Sequence, residues 1–311
     1  MPLVAPSAVI PLAFDPTLRL GDIAIRLQTI GIAFAVFAAL VLAARIARRT
    51  PVHVADPDAI FPADERETRR LHRDDLLYVV LGLVPGAIIG GRIGYVLIHF
   101  DYYRANAGAI VDPAQGGLQL SVAVLGAVVT GAVVANLLEA PPGRWLHVAA
   151  LPLLIAIAIG KVALALGGEG QGTPAAADWA TAYLGPGPWG SLAPIVPSNP
   201  SQLYEAAGTA VVLIAMTALV AAGTFQARDG RTFWIALAMW AVVRFVVAFT
   251  WRDQHVLGPL VADQLLTIAI FGLSIAGAQW LTGRGGGRVE VVEEPATVDP
   301  AWPDPATRPR F

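Results

Sequence analysis

The sequence predicts an all-α integral membrane fold of seven transmembrane helices, with the N-terminus outside and the C-terminus in the cytoplasm. Three observations predict it. Hydrophobic residues make up 56% of the 311-residue chain and charged residues only 14%, more apolar surface than a soluble domain of that length hides. The apolar residues gather in runs of about 20, the length that crosses a hydrocarbon core of about 30 Å as a helix, and such runs satisfy their own backbone at that depth only as helices. Arginines collect on alternate connections, as the positive-inside rule requires.

Taken in order, the spans are expected at approximately 24–44, 76–99, 118–138, 147–167, 203–222, 232–250 and 259–282. Asp22 and Arg26 crowd the start of the first. Residues 1–23 form an extracytoplasmic N-terminal segment without a basic n-region or small-residue cleavage site, so a cleaved signal peptide is not expected. Residues 24–282 are the seven-helix domain. From 283 to 311 the chain is polar, Pro-rich and aperiodic, which predicts a disordered cytoplasmic tail. The first connection carries Arg45, Arg48, Arg49, Arg66, Arg69, Arg70 and Arg73, whereas the long connection from Gly168 to Gln202 has no Lys or Arg. That connection is rich in Gly, Pro and Ala, with Trp179 and Trp189, and suits a partly ordered extracytoplasmic element at the lipid surface.

Composition also excludes function classes. A net charge of −2 with no basic stripe argues against a nucleic-acid partner. With no cysteine there is no disulfide, thiolate metal site or Cys nucleophile, so any thiol chemistry takes its thiol from a substrate. The five His lack metal-ligand spacing. A small-solute transporter would show paired repeats and broken helices, and neither is evident.

Three cations fall inside spans: Arg92, Lys161 and Arg244. At about 1.5 Å per residue, each sits roughly 18–24 Å from its cytoplasmic end. Glu169, Gln202, Tyr204, Glu205 and Asp263 lie near the same outer edge, and together these residues predict a polar cavity open to the outer leaflet. Lys and Arg near helix ends also snorkel or pair with acids for packing alone. Three at one depth favour a site, with a phosphate as the guest that guanidinium forks match. Gly86, Gly90 and Gly94 make a small face that lets another helix approach closely.

The segments GGRIGYVLIHFDYY (90–103), the GG before the third span and NPSQLYE (199–205) resemble the prolipoprotein diacylglyceryl transferase family. IGKVALALGGEGQG (159–172), Arg244 and Asp263-Gln264 add weaker matches, so the resemblance runs from about 76 to 282. It implies transfer of the diacylglyceryl group of phosphatidylglycerol to the lipobox cysteine of a preprolipoprotein in the cell membrane, with no cofactor. By resemblance, Arg244, Glu169 and Tyr204 are the catalytic candidates. Arg92, Lys161, Gln202, Ser201, Gly90 and Gly91 bind the lipid phosphate and shape the site.

The chain departs from the family pattern at several of these positions. The His of the GG-x-x-x-His element is Ser121, which cannot act as a base near neutral pH. The family Arg and Asn of the Gly-Arg-x-Gly-Asn element are Lys161 and Leu164, the His before Pro-Ser-Gln is Asn199, and a Glu four residues after Arg244 is Ala248. Two readings follow: a divergent transferase whose base is Glu169, Glu205 or His99, with Tyr204 as a relay, or a paralogue that binds anionic phospholipid without transfer.

Overall fold

Each apolar run folds as a helix: α1 (Leu27–Ala47), α2 (Arg73–Ile98), α4 (Leu120–Leu137), α5 (Pro142–Gly167), α6 (Ser201–Ala221), α7 (Arg231–Val247) and α8 (Ala262–Gly285), with a short α3 (Phe100–Ala105) after α2. The seven long helices are apolar enough over 18 or more residues to cross a membrane. This is a multi-pass membrane protein. The computed structural model describes residues 9–50, 73–112, 117–138 and 141–285. The expected tail beyond Gly285, and Arg66, Arg69 and Arg70, lie outside them. The outward helix faces are bare hydrocarbon: Phe37, Leu97, Val211 and Ile214 are 63–70% exposed, a surface that only lipid solvates well.

Short strands gather at one end of the bundle, termed the strand end. β1 (Ile10–Leu12) pairs in parallel with β4 (Thr181–Tyr183), while β2 (Thr17–Leu20) and β3 (Ile23–Arg26) form a hairpin. β5 (His255–Leu257) and β6 (Leu260–Val261) form another. The first span therefore begins at Leu27 rather than 24, because Ala24–Arg26 alternate as a strand opposite Thr17–Arg19.

The connection from Gly168 to Pro200 is folded rather than partly ordered. Arg252 bonds the Gly172 carbonyl and the Ser198 hydroxyl (2.8 Å), and Gln171 donates to the Thr181 (3.0 Å) and Val196 (3.2 Å) carbonyls. Trp189 is not a lipid-surface residue. Its ring packs on Tyr183 at 4.8 Å and edge-on to Phe14 at 5.2 Å, whereas Trp179 is exposed as expected.

Helix pairing divides the bundle. α2 packs chiefly on α4, and α1 on α5, which continues into α6, α7 and α8. The expected glycine face makes the first pairing: a Cβ on Gly90 would come 2.5 Å from the Val122 carbonyl oxygen, and one on Gly86 would collide with the Gly126 carbonyl. Between the α2–α4 pair and α1–α5 runs a thin seam holding an apolar cavity of about 400 Å³, lined by Val36, Val79, Leu83, Leu120, Val124 and Trp145 among others. Toward the end opposite the strands, Ala43, Ala47, Val79, Ala135, Trp145 and Val148 form a buried apolar cluster, four of whose members line the cavity.

Candidate functional site

Four helices of the larger group each send one charged side chain to a common point near the strand end. Arg244, buried on α7, donates through Nε to Asp263 Oδ2 (3.0 Å), through Nη2 to Asp263 Oδ1 (3.1 Å) and through Nη1 to Glu205 Oε1 (2.8 Å). The other Glu205 oxygen meets Lys161 Nζ at 2.7 Å. Glu205 on α6 is wholly buried, and Asp263, in the first turn of α8, is 5% exposed. Two cations and two carboxylates make this quartet neutral. That balance is what makes its burial tolerable, since an isolated ion here would cost several kcal/mol.

Aromatic faces complete the enclosure. The Trp251 ring lies 4.6 Å from the Arg244 guanidinium and 5.9 Å from Lys161 Nζ, and the Trp240 ring lies 5.5 Å from Arg244. A cation is drawn to such faces most strongly away from water. The quartet is tied to the α2–α4 pair by Gln119, the N-cap of α4, whose amide donates to Asp263 Oδ1 while its carbonyl oxygen accepts from the Val122 amide. Two residues on, Ser121 is fully buried and its hydroxyl has no partner among the described residues. Leu120, between them, lines the apolar cavity. The cavity thus reaches the first turn of α4, whose N-cap Gln119 contacts the ionic site.

The other expected site residues separate into groups. Gln202, buried in the first turn of α6, donates to the Tyr183 hydroxyl (2.9 Å), which donates to the Ala165 carbonyl (3.0 Å). The Gln202 carbonyl oxygen is buried without a partner among the described residues. Burial pushes the Tyr183 phenol up to about 12, against the lowering pull of the Gln202 amide, so it serves as a neutral donor and not as a base. Gly168, in the left-handed conformation at φ 75°, ends α5 and turns Glu169 back toward Gly190. The Glu169 carboxylate is half-buried, with no hydrogen bond or ion pair among the described residues. Tyr204 reaches Asn199 Oδ1 at 3.4 Å.

The structure places Arg92, Ser201, Gly90 and Gly91 outside the quartet. Arg92 does not join Lys161 and Arg244 in the quartet. Its guanidinium is wrapped by the carbonyls of Ala109 (2.6 Å), Ile110 (2.8 Å), Gly117 (3.3 Å) and Asp112 (3.4 Å), beside the Tyr103 ring at 5.3 Å. The reason is local: the 3₁₀ turn at 107–110 and the residues after it fold back over α2 and present their carbonyls to it, while α3 supplies the Tyr103 ring. Ser201 is committed to Thr250, whose hydroxyl lies 2.6 Å away, so it fixes α6 against the end of α7. Gly90 and Gly91 pack α2 against α4. The acids expected above the cations stand between them as counter-ions. Gln119, Tyr183, Trp240 and Trp251 were not expected from the sequence. The two tryptophans lie in or beside the sixth span, where no pattern singles them out, and Gln119 carries no motif.

A family model described as prolipoprotein diacylglyceryl transferase matches residues 16–280. Relatives named phosphatidylglycerol–prolipoprotein diacylglyceryl transferase include one from Geobacter sulfurreducens, 28% identical over 69% of this chain and 81% of its own length. One from Bacillus mycoides is 30% identical over 68% of this chain and 78% of its own. One from Trichormus variabilis is 27% identical over 93% of this chain and 99% of its own.

Proposed function

The chain belongs to the prolipoprotein diacylglyceryl transferase family, and from that premise we propose that it transfers the diacylglyceryl group of phosphatidylglycerol to the lipobox cysteine of a preprolipoprotein. The observation that carries this reading is a buried guanidinium–ammonium pair in a membrane-spanning bundle, linked through Gln119 to the helix turn where an apolar cavity ends. A diacyl phospholipid needs both. Its chains need apolar surroundings, which the cavity and the lipid-facing helix sides provide, and its phosphate needs fixed cations that bind it more strongly in the transition state than in the ground state.

Arg244, backed by the Trp251 face, holds the phosphate with Lys161. The thiol of the substrate cysteine loses its proton, its sulfur bonds the glycerol carbon, and the bond from that carbon to the phosphate oxygen breaks, releasing glycerol phosphate. Glu169, half-buried just past the end of α5 with no ion pair among the described residues, takes the proton, whereas Glu205 is engaged by two cations. His99 is exposed and bonds the Tyr95 carbonyl at 3.0 Å, remote in role from the quartet. The free Gln202 oxygen accepts from a headgroup hydroxyl. The strand end faces outward and the arginine-bearing end inward in the cell membrane, by the positive-inside rule. Domain limits follow: an outer segment before α1, the helical domain, and an inner tail beyond α8.

The test is transfer itself. Purified protein with phosphatidylglycerol and a lipobox peptide is expected to add one diacylglyceryl mass to the peptide, and none to its Cys→Ser counterpart. Saturable lipid binding with no mass gain would instead support a binding paralogue.

A further inference from the structure

We propose that Asp263 occupies the seat of the lipid phosphate on Arg244 and must leave it for an anionic phospholipid to bind, so that Asp263 sets the affinity and the charge selectivity of the site. The inference rests on the reading of Arg244 as the phosphate holder and adds how that place is kept. Asp263 meets Arg244 with both carboxylate oxygens, on Nε and Nη2 at 3.0 and 3.1 Å. This is the side-on bidentate pattern by which a guanidinium also takes a phosphate. Two groups cannot share that edge.

The two acids of the quartet are not equivalent. Glu205 is wholly buried and bridges Arg244 and Lys161, so removing it would strand two cations. Asp263 contacts one cation and stands in the first turn of α8, directly after the exposed β5 strand and its β6 partner. A carboxylate at a helix N-terminus keeps a favourable dipole interaction when its ion pair is broken. Its remaining side-chain donors are the Gln119 amide and, at 3.4 Å, the Thr267 hydroxyl. Gln119 is next in sequence to Leu120, which lines the apolar cavity proposed for the chains. Charge gives the same answer. The quartet is neutral, and a phosphate diester adds one negative charge. If Asp263 swings toward the strand end as the phosphate enters, the buried sum stays at zero and the Gln119 amide keeps an anionic acceptor. If Asp263 stays, an uncompensated charge is buried.

Binding of phosphatidylglycerol and of diacylglycerol, which lacks the phosphate, is measured on the full chain in detergent for wild type, Asp263→Asn and Asp263→Ala, with thermal melting of each. The expected result is folded variants that bind phosphatidylglycerol about tenfold more tightly, as befits a vacated charge-assisted fork, with diacylglycerol affinity unchanged. Unchanged or weaker phosphatidylglycerol binding by a folded variant would overturn the proposal, as would failure of both variants to fold, which would make Asp263 a structural counter-ion. The transfer reading fails separately: wild type could bind the phospholipid and show the Asp263 effect while adding nothing to a lipobox peptide.

Discussion

Arg244 and Arg92 both stand in membrane-spanning helices near the strand end, and they meet opposite kinds of partner. Arg244 is held by two carboxylates from neighbouring helices, with indole faces beside it. Arg92 is held by a ring of backbone carbonyls from the segment that follows its own helix, with phenol faces beside it. Carbonyls tie an arginine to the loop they belong to. Carboxylates cancel the charge and tie distant helices together. The first arrangement organises a connection; the second builds a neutral centre that joins four helices.

The largest effect that would break this contrast belongs to Arg244→Ala. Two buried carboxylates lose their fork, so stability is expected to fall by about 3–5 kcal/mol. Transfer is expected to fall by about 100- to 1000-fold, as when a transition-state donor is removed. Denaturant unfolding in detergent and the peptide-mass assay read the two separately. Full transfer by this variant would remove Arg244 from the site and leave the quartet a packing device.

Arg92→Gln is expected to do less and do it elsewhere. The carbonyls it leaves lie near the strand end, where water reaches them, so the stability cost is about 1 kcal/mol and transfer stays within about tenfold of wild type. Amide hydrogen exchange should rise across residues 99–112 and stay unchanged in α6 and α8. A loss of transfer equal to that of Arg244→Ala, with exchange unchanged, would mean that Arg92 touches the lipid.

How much of this was legible in the sequence follows from the range of each interaction. The seven spans were legible because lipid solvation acts on every residue of a run, and the runs at 120–137 and 231–250 fall within a few residues of their expected bounds. The glycine face of α2 was legible because its period alone requires a close neighbour. The β1–β4 pair was not: it joins segments some 170 residues apart by backbone bonds that carry no side-chain signature. Lys161 and Arg244 were found as cations out of place, and Glu205 and Asp263 as acids at the same edge. That the acids lie between the cations, and that Arg92 turns away, depends on rotamers and on carbonyls of a loop, which composition does not encode. Trp251 sits one residue past a short 3₁₀ turn, and only that turn aims its ring at both cations.

The smallest expected effect concerns a third kind of polar node, one with no charge at all. Tyr183 passes a hydrogen bond from Gln202 to the Ala165 carbonyl, linking the folded connection to α5 and α6. Tyr183→Phe keeps the ring packed on Trp189 and removes only the hydroxyl, so the stability loss is about 1 kcal/mol. The Gln202 amide, left without its acceptor, is then free to turn over. If Gln202 orients the lipid headgroup, KM for phosphatidylglycerol rises severalfold while kcat changes little, because the cations that stabilise the departing phosphate are untouched. A fall in kcat with KM unchanged would place Tyr183 in the chemistry itself and would show that a neutral phenol, rather than the ionic quartet alone, stabilises the departing phosphate.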